Sequence, residues 1–179
     1  MNNLKMYNMD IQAKKVLFAD LDGTLIQTAS GKTFAEDCTD FRIRKDVLDK
    51  IKQMKGLYDL HIVTNQGGIP QFITKDEFEI KLTVICDFIK LYTCDSEDGC
   101  LYVSADYCAS LDKNNPNRKP NTGMLEKWLK QHPDYQNCKD MMLMIGDASG
   151  KDGQFSDSDK VCAERFGIDY LDVEDFLKA

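Results

Sequence analysis

KVLFADLDGT, residues 15–24, places four consecutive apolar residues, Val16 to Ala19, directly before Asp20, Asp22 and Gly23. An unbroken apolar run of this length, as opposed to an alternating one, is what a strand needs when it is covered on both faces. Such strands belong to parallel sheets sandwiched between helices. Gly23 permits a sharp exit turn after the strand. The same grammar repeats outward from this stretch. Residues 46–55 read as a helix, with Val47, Leu48, Ile51 and Met54 on one face, and residues 58–64, YDLHIVT, read as a second strand. Thr74 and Glu77 form a capping-box pair that opens a helix to about residue 91. A strand over 100–105, a helix over 121–130, a strand over 141–145, a helix over 158–166, a strand over 168–171 and a closing helical turn over 172–177 complete the order. Strands alternating with helices predict an α/β fold, a three-layer doubly wound parallel sheet.

Composition narrows the field. The 179 residues suit one domain, over residues 15–179, behind a polar N-terminal extension, residues 1–14. No apolar stretch approaches the ~20 residues of a membrane span, and residues 1–15 lack the apolar run of a secretory signal, so an intracellular protein, cytoplasmic or nuclear, is expected. We also expect a monomer with no membrane association. Seven cysteines are present and none form a Cys-x-x-Cys pair; the two histidines, His61 and His132, lie away from the Cys94, Cys100 and Cys108 group. Reduced thiols are therefore expected in place of a zinc cluster. The net charge of −7 argues against nucleic-acid binding through the whole surface and leaves room for a local basic patch.

Four short motifs fall at strand ends: Asp20-Leu21-Asp22-Gly23-Thr24 after the first, Thr64-Asn65-Gln66 after the second, Lys119 in the loop after the third, and Gly146-Asp147 after the fourth. Taken singly, each has an ordinary reading as a turn, a strand-end cap or a solvated side chain. Together they land on the sheet edge where doubly wound folds bind ligands. Their chemistry is that of phosphoryl transfer. A phosphate monoester is shielded by its own negative charge, and its hydrolysis is eased by a covalent intermediate. Asp20 is ionised at neutral pH and can attack. Asp22 can protonate the leaving oxygen and later deprotonate water. Hard oxygen ligands from Asp20, Asp147 and the Asp22 carbonyl suit Mg²⁺. Lys119 offsets remaining charge, and Thr64 with nearby N–H groups can bind phosphoryl oxygens. Gly31-Lys32-Thr33 looks like the tail of a phosphate-binding P-loop, but the leading glycine is replaced by Ile26.

This order of Asp-x-Asp, Thr, Lys and Asp resembles the haloacid-dehalogenase phosphatase superfamily. Within it the chain is similar to the 3′-phosphatase half of polynucleotide kinase/phosphatases, in FADLDGTLIQTASGKTF, DFRI, VTNQGGI, RKPNTGM, IGDASGKD and FSDSDKVCAERFGIDY. The resemblance implies a haloacid-dehalogenase-like Rossmannoid core with a small flap over residues 26–44 and no large cap domain. It implies an Mg²⁺-dependent phosphomonoesterase that removes 3′-phosphate from DNA ends, a DNA-repair activity. It implies a second acid after Asp147, for which Asp159 matches better than Asp152. Leu21, Asn65 and Gln66 are carried over as substrate-binding residues. Relatives acting on histidinol phosphate or heptose bisphosphate carry a zinc loop of Cys and His before Arg-Lys-Pro, where this chain has DKNNPN, residues 112–117. A small-molecule phosphatase remains the alternative, followed by a phospho-acceptor domain, which would carry its aspartate on a middle strand. Arg42, Arg44, Lys45 and Arg118 are candidate contacts to the nucleic-acid backbone, and Phe41 is a candidate for stacking on a base.

Overall fold

The computed structural model describes residues 14–33, 35–95 and 99–179. The expected extension, residues 1–14, thus lies outside the described residues except for Lys14, as do Glu97 and Asp98 of the acidic run expected in a solvated loop. The first half contains β1 (Lys15–Ala19), β2 (Ile26–Gln27), β3 (Arg42–Ile43), α1 (Lys45–Met54), β4 (Tyr58–Asn65) and α2 (Lys75–Thr93). The second contains β5 (Val103–Cys108), α3 (Gly123–Gln131), β6 (Met142–Gly146), α4 (Ser158–Phe166), β7 (Asp169–Asp172) and α5 (Val173–Phe176). Five strands form one sheet in the order β5-β4-β1-β6-β7, and every pairing in it is parallel.

β1 is the central strand, and its alternation divides the core. Leu17 and Ala19 join Val47, Leu48 and Ile51 of α1, Phe78, Leu82, Ile85 and Ile89 of α2, and Val173 and Phe176 of α5. Val16 and Phe18 join Met124, Leu125 and Trp128 of α3 and Cys162, Ala163 and Phe166 of α4. Both faces are covered, which is why the β1 sequence shows no polar alternation. Phe18 meets the rings of His61, Trp128 and Phe166 edge-on, at centroid distances of 5.8, 5.3 and 6.5 Å. The Thr74 capping box forms as expected: its hydroxyl accepts from the Glu77 N–H at 3.3 Å, and its own N–H donates to Glu77 Oε2 at 2.9 Å. α4 stops at Gly167, whose φ of +81° is the left-handed cap that glycine adopts without strain.

The region expected to form a flap contains a two-stranded antiparallel pair, Ile26 opposite Ile43 and Gln27 opposite Arg42. Asp40 knots its far end by accepting from Ser30 N–H, Ser30 Oγ and Glu36 N–H at 2.7, 2.7 and 2.9 Å. Two expectations need correction. The third strand runs over Val103–Cys108, three residues later than the apolar pattern placed it. Its register, Leu60 to Val103 through Asn65 to Cys108, is fixed by pairing along β4, while Leu101 is buried ahead of the strand. The cysteines are not all free thiols: Cys94 and Cys100 form a disulfide. The antiparallel bridge between Asp95 and Gly99 turns the chain back on itself and brings the two sulfurs together. Among the described residues, no helix is long and apolar enough to cross a membrane.

Phe18 fills the space between sheet and helices with no exposure at all. Phe18→Ala should lower unfolding free energy by about 3–5 kcal/mol. Leu57→Ala, at a position 62% exposed, should change it by less than about 0.5 kcal/mol. Urea midpoints of the two variants check this.

Candidate active site

All five sheet strands end on one edge, and that edge gathers the residues the sequence singled out. Asp20 directly follows β1, and its N–H donates to the Ile145 carbonyl of β6 at 3.0 Å. The chain then turns tightly: Gly23 N–H donates to the Ile26 carbonyl at 2.7 Å, and Leu25 and Ile26 N–H both donate to the Leu21 carbonyl. Lys119 reaches in from the loop before α3. Its ammonium lies 2.5 Å from Asp20 Oδ1 and 2.7 Å from Asp159 Oδ1. Lys119 and Asp159 are 3% and 1% exposed and Asp20 is 7% exposed, so the triad is buried with Asp20 its most accessible member. Asp147 completes it: Asp20, Asp147 and Asp159 each offer an oxygen within 4.8 Å of the other two. The structure therefore places Asp159 in the site and leaves Asp152 exposed on the turn after Asp147.

Two glycines make room for these acids. A side chain on Gly23, at φ +82°, would begin 2.1 Å from Asp147 Oδ2, and one on Gly146 would begin 2.2 Å from Asp159 Oδ2. No side chain fits either place without displacing a carboxylate. Asp22, by contrast, is exposed at the mouth. Gln66 holds it there, donating to Asp22 Oδ2 at 2.6 Å and to Thr64 Oγ1 at 2.9 Å.

Several residues do different work from what the sequence suggested. The Leu21 side chain is fully buried in the core, so only its backbone is available to a ligand. Asn65 clamps the Lys119 backbone: its Nδ2 donates to the Lys119 carbonyl at 2.9 Å and its Oδ1 accepts from Lys119 N–H at 3.0 Å. Arg44 is tied to the Gly23 carbonyl, Asp46 and Glu174 at 3.2, 2.6 and 2.9 Å, which braces the catalytic turn against α5. Arg118 donates to the Ser110 carbonyl at 2.7 Å. Phe41 packs on the core with Lys81 above its ring, so its face is covered. Arg42 and Lys45 are exposed. A further brace had no sequence signature. Gln154 Oε1 accepts from Ser149 N–H at 2.8 Å, and buried Asp172 accepts from Ser149 Oγ and Gln154 Nε2 at 2.7 and 2.6 Å. Together they fix the loop that leaves Asp147.

Electrostatics show what the arrangement lacks. Burial raises the carboxyls of Asp20 and Asp159, the latter to about 6, with Lys119 opposing the rise in both. Burial also works against the Lys119 charge, but Asp159 and Asp20 outweigh it and hold the ammonium protonated. Asp147 is pushed up to about 7, by burial first and then by Asp20 and Asp159. Three carboxylates facing one ammonium leave negative charge in excess. The all-oxygen donor set, free of thiolate and imidazole, fits a hard divalent cation such as Mg²⁺. Without a cation, Asp147 holds its proton in the folded chain between its ordinary value of 3.8 and about 7, an interval in which the unfolded chain has lost it. That stability is complete below the unfolded value and disappears as pH rises through about 7. The metal-free chain should therefore melt at a lower temperature at about pH 8 than at about pH 5, and Asp147→Asn should flatten the difference. Thermal melts in chelator across that range check it.

Comparison with known proteins agrees with this geometry. The chain is 33% identical over 172 residues to the bifunctional polynucleotide phosphatase/kinase of Schizosaccharomyces pombe, covering 93% of this chain and 38% of that protein. It is 29% identical over 161 residues to the histidine biosynthesis bifunctional protein HisB of Campylobacter jejuni, covering 87% and 40%. The chain thus spans about two-fifths of the length of these relatives. Among solved structures, D,D-heptose 1.7-bisphosphate phosphatase from B. bronchiseptica superposes with a TM-score of 0.66 at 16% identity, over 87% of this chain and 78% of that one, a likeness of fold. Residues 15–177 match the family described as Polynucleotide kinase 3 phosphatase, and the chain belongs to that family.

Proposed function

We propose that this chain is an Mg²⁺-dependent phosphomonoesterase that removes the 3′-phosphate from DNA ends. The observation that carries the chemistry is the buried Lys119 ammonium between Asp20 and Asp159, beside a mouth where Gln66 holds Asp22. An Asp20 oxygen attacks phosphorus, and the bond from phosphorus to the ester oxygen breaks. Asp22 gives its proton to that departing oxygen, so the sugar leaves as a free 3′-hydroxyl. Water then attacks the same phosphorus; Asp22 takes the water proton, the aspartyl–phosphate bond breaks, and inorganic phosphate leaves. Lys119 and the Thr64 hydroxyl face the phosphoryl oxygens, and Asn65 keeps Lys119 in place. Asp20, Asp147 and the Asp22 carbonyl, with Asp159 alongside, would hold Mg²⁺, which when bound supplies positive charge to the phosphoryl group. The heptose bisphosphate phosphatase of similar fold was captured with magnesium and phosphate.

Three features favour a DNA end over a small phosphate ester. The family model covers the whole core, and the fission-yeast relative is a polynucleotide phosphatase. The loop of residues 112–117 carries no Cys or His. Among the described residues between β1 and α1, the chain forms a two-stranded pair and no large cap domain. We assign Arg42 to the backbone of the substrate, Arg118 to a supporting place beside it, and Arg44 to bracing the turn. The likeness to HisB favours a second reading, a small-molecule phosphatase.

Asp20→Asn should remove turnover, because an amide cannot act as the nucleophile, while leaving the melting profile folded; turnover above trace in the purified variant would exclude Asp20 from that role. Asp22→Asn should slow turnover by roughly two to four orders of magnitude. At matched salt, the wild type should hydrolyse a 3′-phosphorylated oligonucleotide with higher kcat/KM than a 5′-phosphorylated one, histidinol phosphate or a heptose bisphosphate. Chelator should abolish this activity and Mg²⁺ restore it. Equal or better turnover of a small phosphate ester would reject the DNA-end substrate and keep the phosphatase chemistry.

A further inference from the structure

Gln66, which holds Asp22, is followed by Gly67-Gly68, and two apolar side chains from different loops lie over this glycine pair. A Cβ on Gly67 would meet Leu111 Cδ2 at 2.5 Å and Arg118 Nη1 at 3.4 Å; one on Gly68 would meet Phe72 Cδ2 at 3.5 Å. Leu111 comes from the loop between β5 and α3, and Phe72 from the loop between β4 and α2. Both are nevertheless largely in solvent, Leu111 at 60% and Phe72 at 78% exposed. Leu111 is not displayed by a slack loop. Arg118 Nη1 donates to the Ser110 carbonyl at 2.7 Å, Asp112 N–H to Ser110 Oγ at 3.1 Å, and Asn121 Nδ2 to the Lys113 and Asn115 carbonyls, both at 2.9 Å. The result is a pre-ordered apolar lip with a guanidinium beside it, next to the residue that orients Asp22.

We infer that Leu111 and Phe72 form a base platform, a specificity-determining lip that holds the unpaired base of the nucleotide bearing the terminal phosphate. This rests on the reading of the substrate as a DNA end. The chemistry of the lip fits that occupant. A nucleobase has an apolar face whichever base it is, and it is tethered to anionic phosphate. Apolar contact and an adjacent cation therefore recognise it together, whereas a sugar phosphate has no flat apolar face to offer. The order β5-β4-β1-β6 places this lip on the opposite side of Asp20 from the loop that follows β6. A strand end inserted into the site passes between the two. Gly67 and Gly68 then serve specificity, since a Cβ at Gly67 would drive Leu111 out of the lip.

The double variant Phe72→Ser with Leu111→Ser alters only largely exposed side chains and leaves the ion triad untouched. Its kinetics are measured on three substrates: a 3′-phosphorylated single-stranded oligonucleotide, the same oligonucleotide lacking the terminal base, and glycerol 2-phosphate, which has no ring. Relative to wild type, kcat/KM should fall about 10-fold or more on the intact oligonucleotide, mostly through KM, as expected for loss of a stacking contact. On the other two substrates it should stay within about twofold. Unchanged kinetics on an oligonucleotide that the wild type prefers would overturn the lip and leave the DNA-end reading intact. An equal loss on all three substrates would overturn it as well, because the effect would then be general damage. A wild type that shows no preference for the oligonucleotide over glycerol 2-phosphate would overturn the DNA-end reading and the lip with it.

Discussion

The rest of the site depends on one buried ammonium. Lys119 is almost fully enclosed, and enclosure alone would drive off its proton. It stays charged because Asp20 and Asp159 stand on either side. The dependence is mutual: without Lys119, two carboxylates would be left buried in one another's field, an arrangement that costs several kcal/mol. The surrounding fold meets the geometric demand. Asn65 grips both backbone groups of Lys119 with the two ends of one amide. Tyr170 donates its hydroxyl to the Gly146 carbonyl at 2.9 Å, fixing the strand end from which Asp147 departs.

Burial and exposure divide the labour among the acids. Asp20 and Asp159 lie inside, paired with a cation; Asp147 is partly inside and short of one; Asp22 is outside, in contact with water. The division follows from local sequence. Asp20 sits one residue beyond the buried strand β1, whereas Asp22 lies past the point where the chain has begun to turn on Gly23. Two residues of separation are enough to place carboxylates in environments of different polarity.

Much of this was legible in the sequence where one residue type has one physical use. The apolar run of β1, the capping box of α2 and the four strand-end motifs each carry a local signal that tertiary context does not overturn. β5 was legible only in part. Its residues, VSADYC, expose Ser104, Asp106 and Tyr107 in part on an edge strand, so the apolar pattern pointed instead to the buried Leu101 and its neighbours. Side chains with two uses were read less well. Arg44 and Asn65 sit where a ligand contact is plausible, but the partners that occupy them, Glu174 and the Lys119 backbone, come from distant segments. The brace of Gln154 and Asp172 on the Asp147 loop was invisible for the same reason. The pairing of Cys94 with Cys100 required knowing that the intervening chain doubles back at Asp95 and Gly99.

The Arg44 brace has a consequence for the order in which the molecule is made. Its guanidinium joins the Gly23 carbonyl, in the first turn of the domain, to Glu174 on the last helix, and the ammonium at Lys119 is balanced only when Asp159 arrives. During synthesis the Asp-x-Asp turn precedes Lys119 and Asp159, the groups that balance it, and Glu174, which holds its brace. A nascent chain therefore carries Asp20 well before it carries the groups that surround it. The turn that holds Asp20 is balanced and braced only once α4 and α5 are both in place.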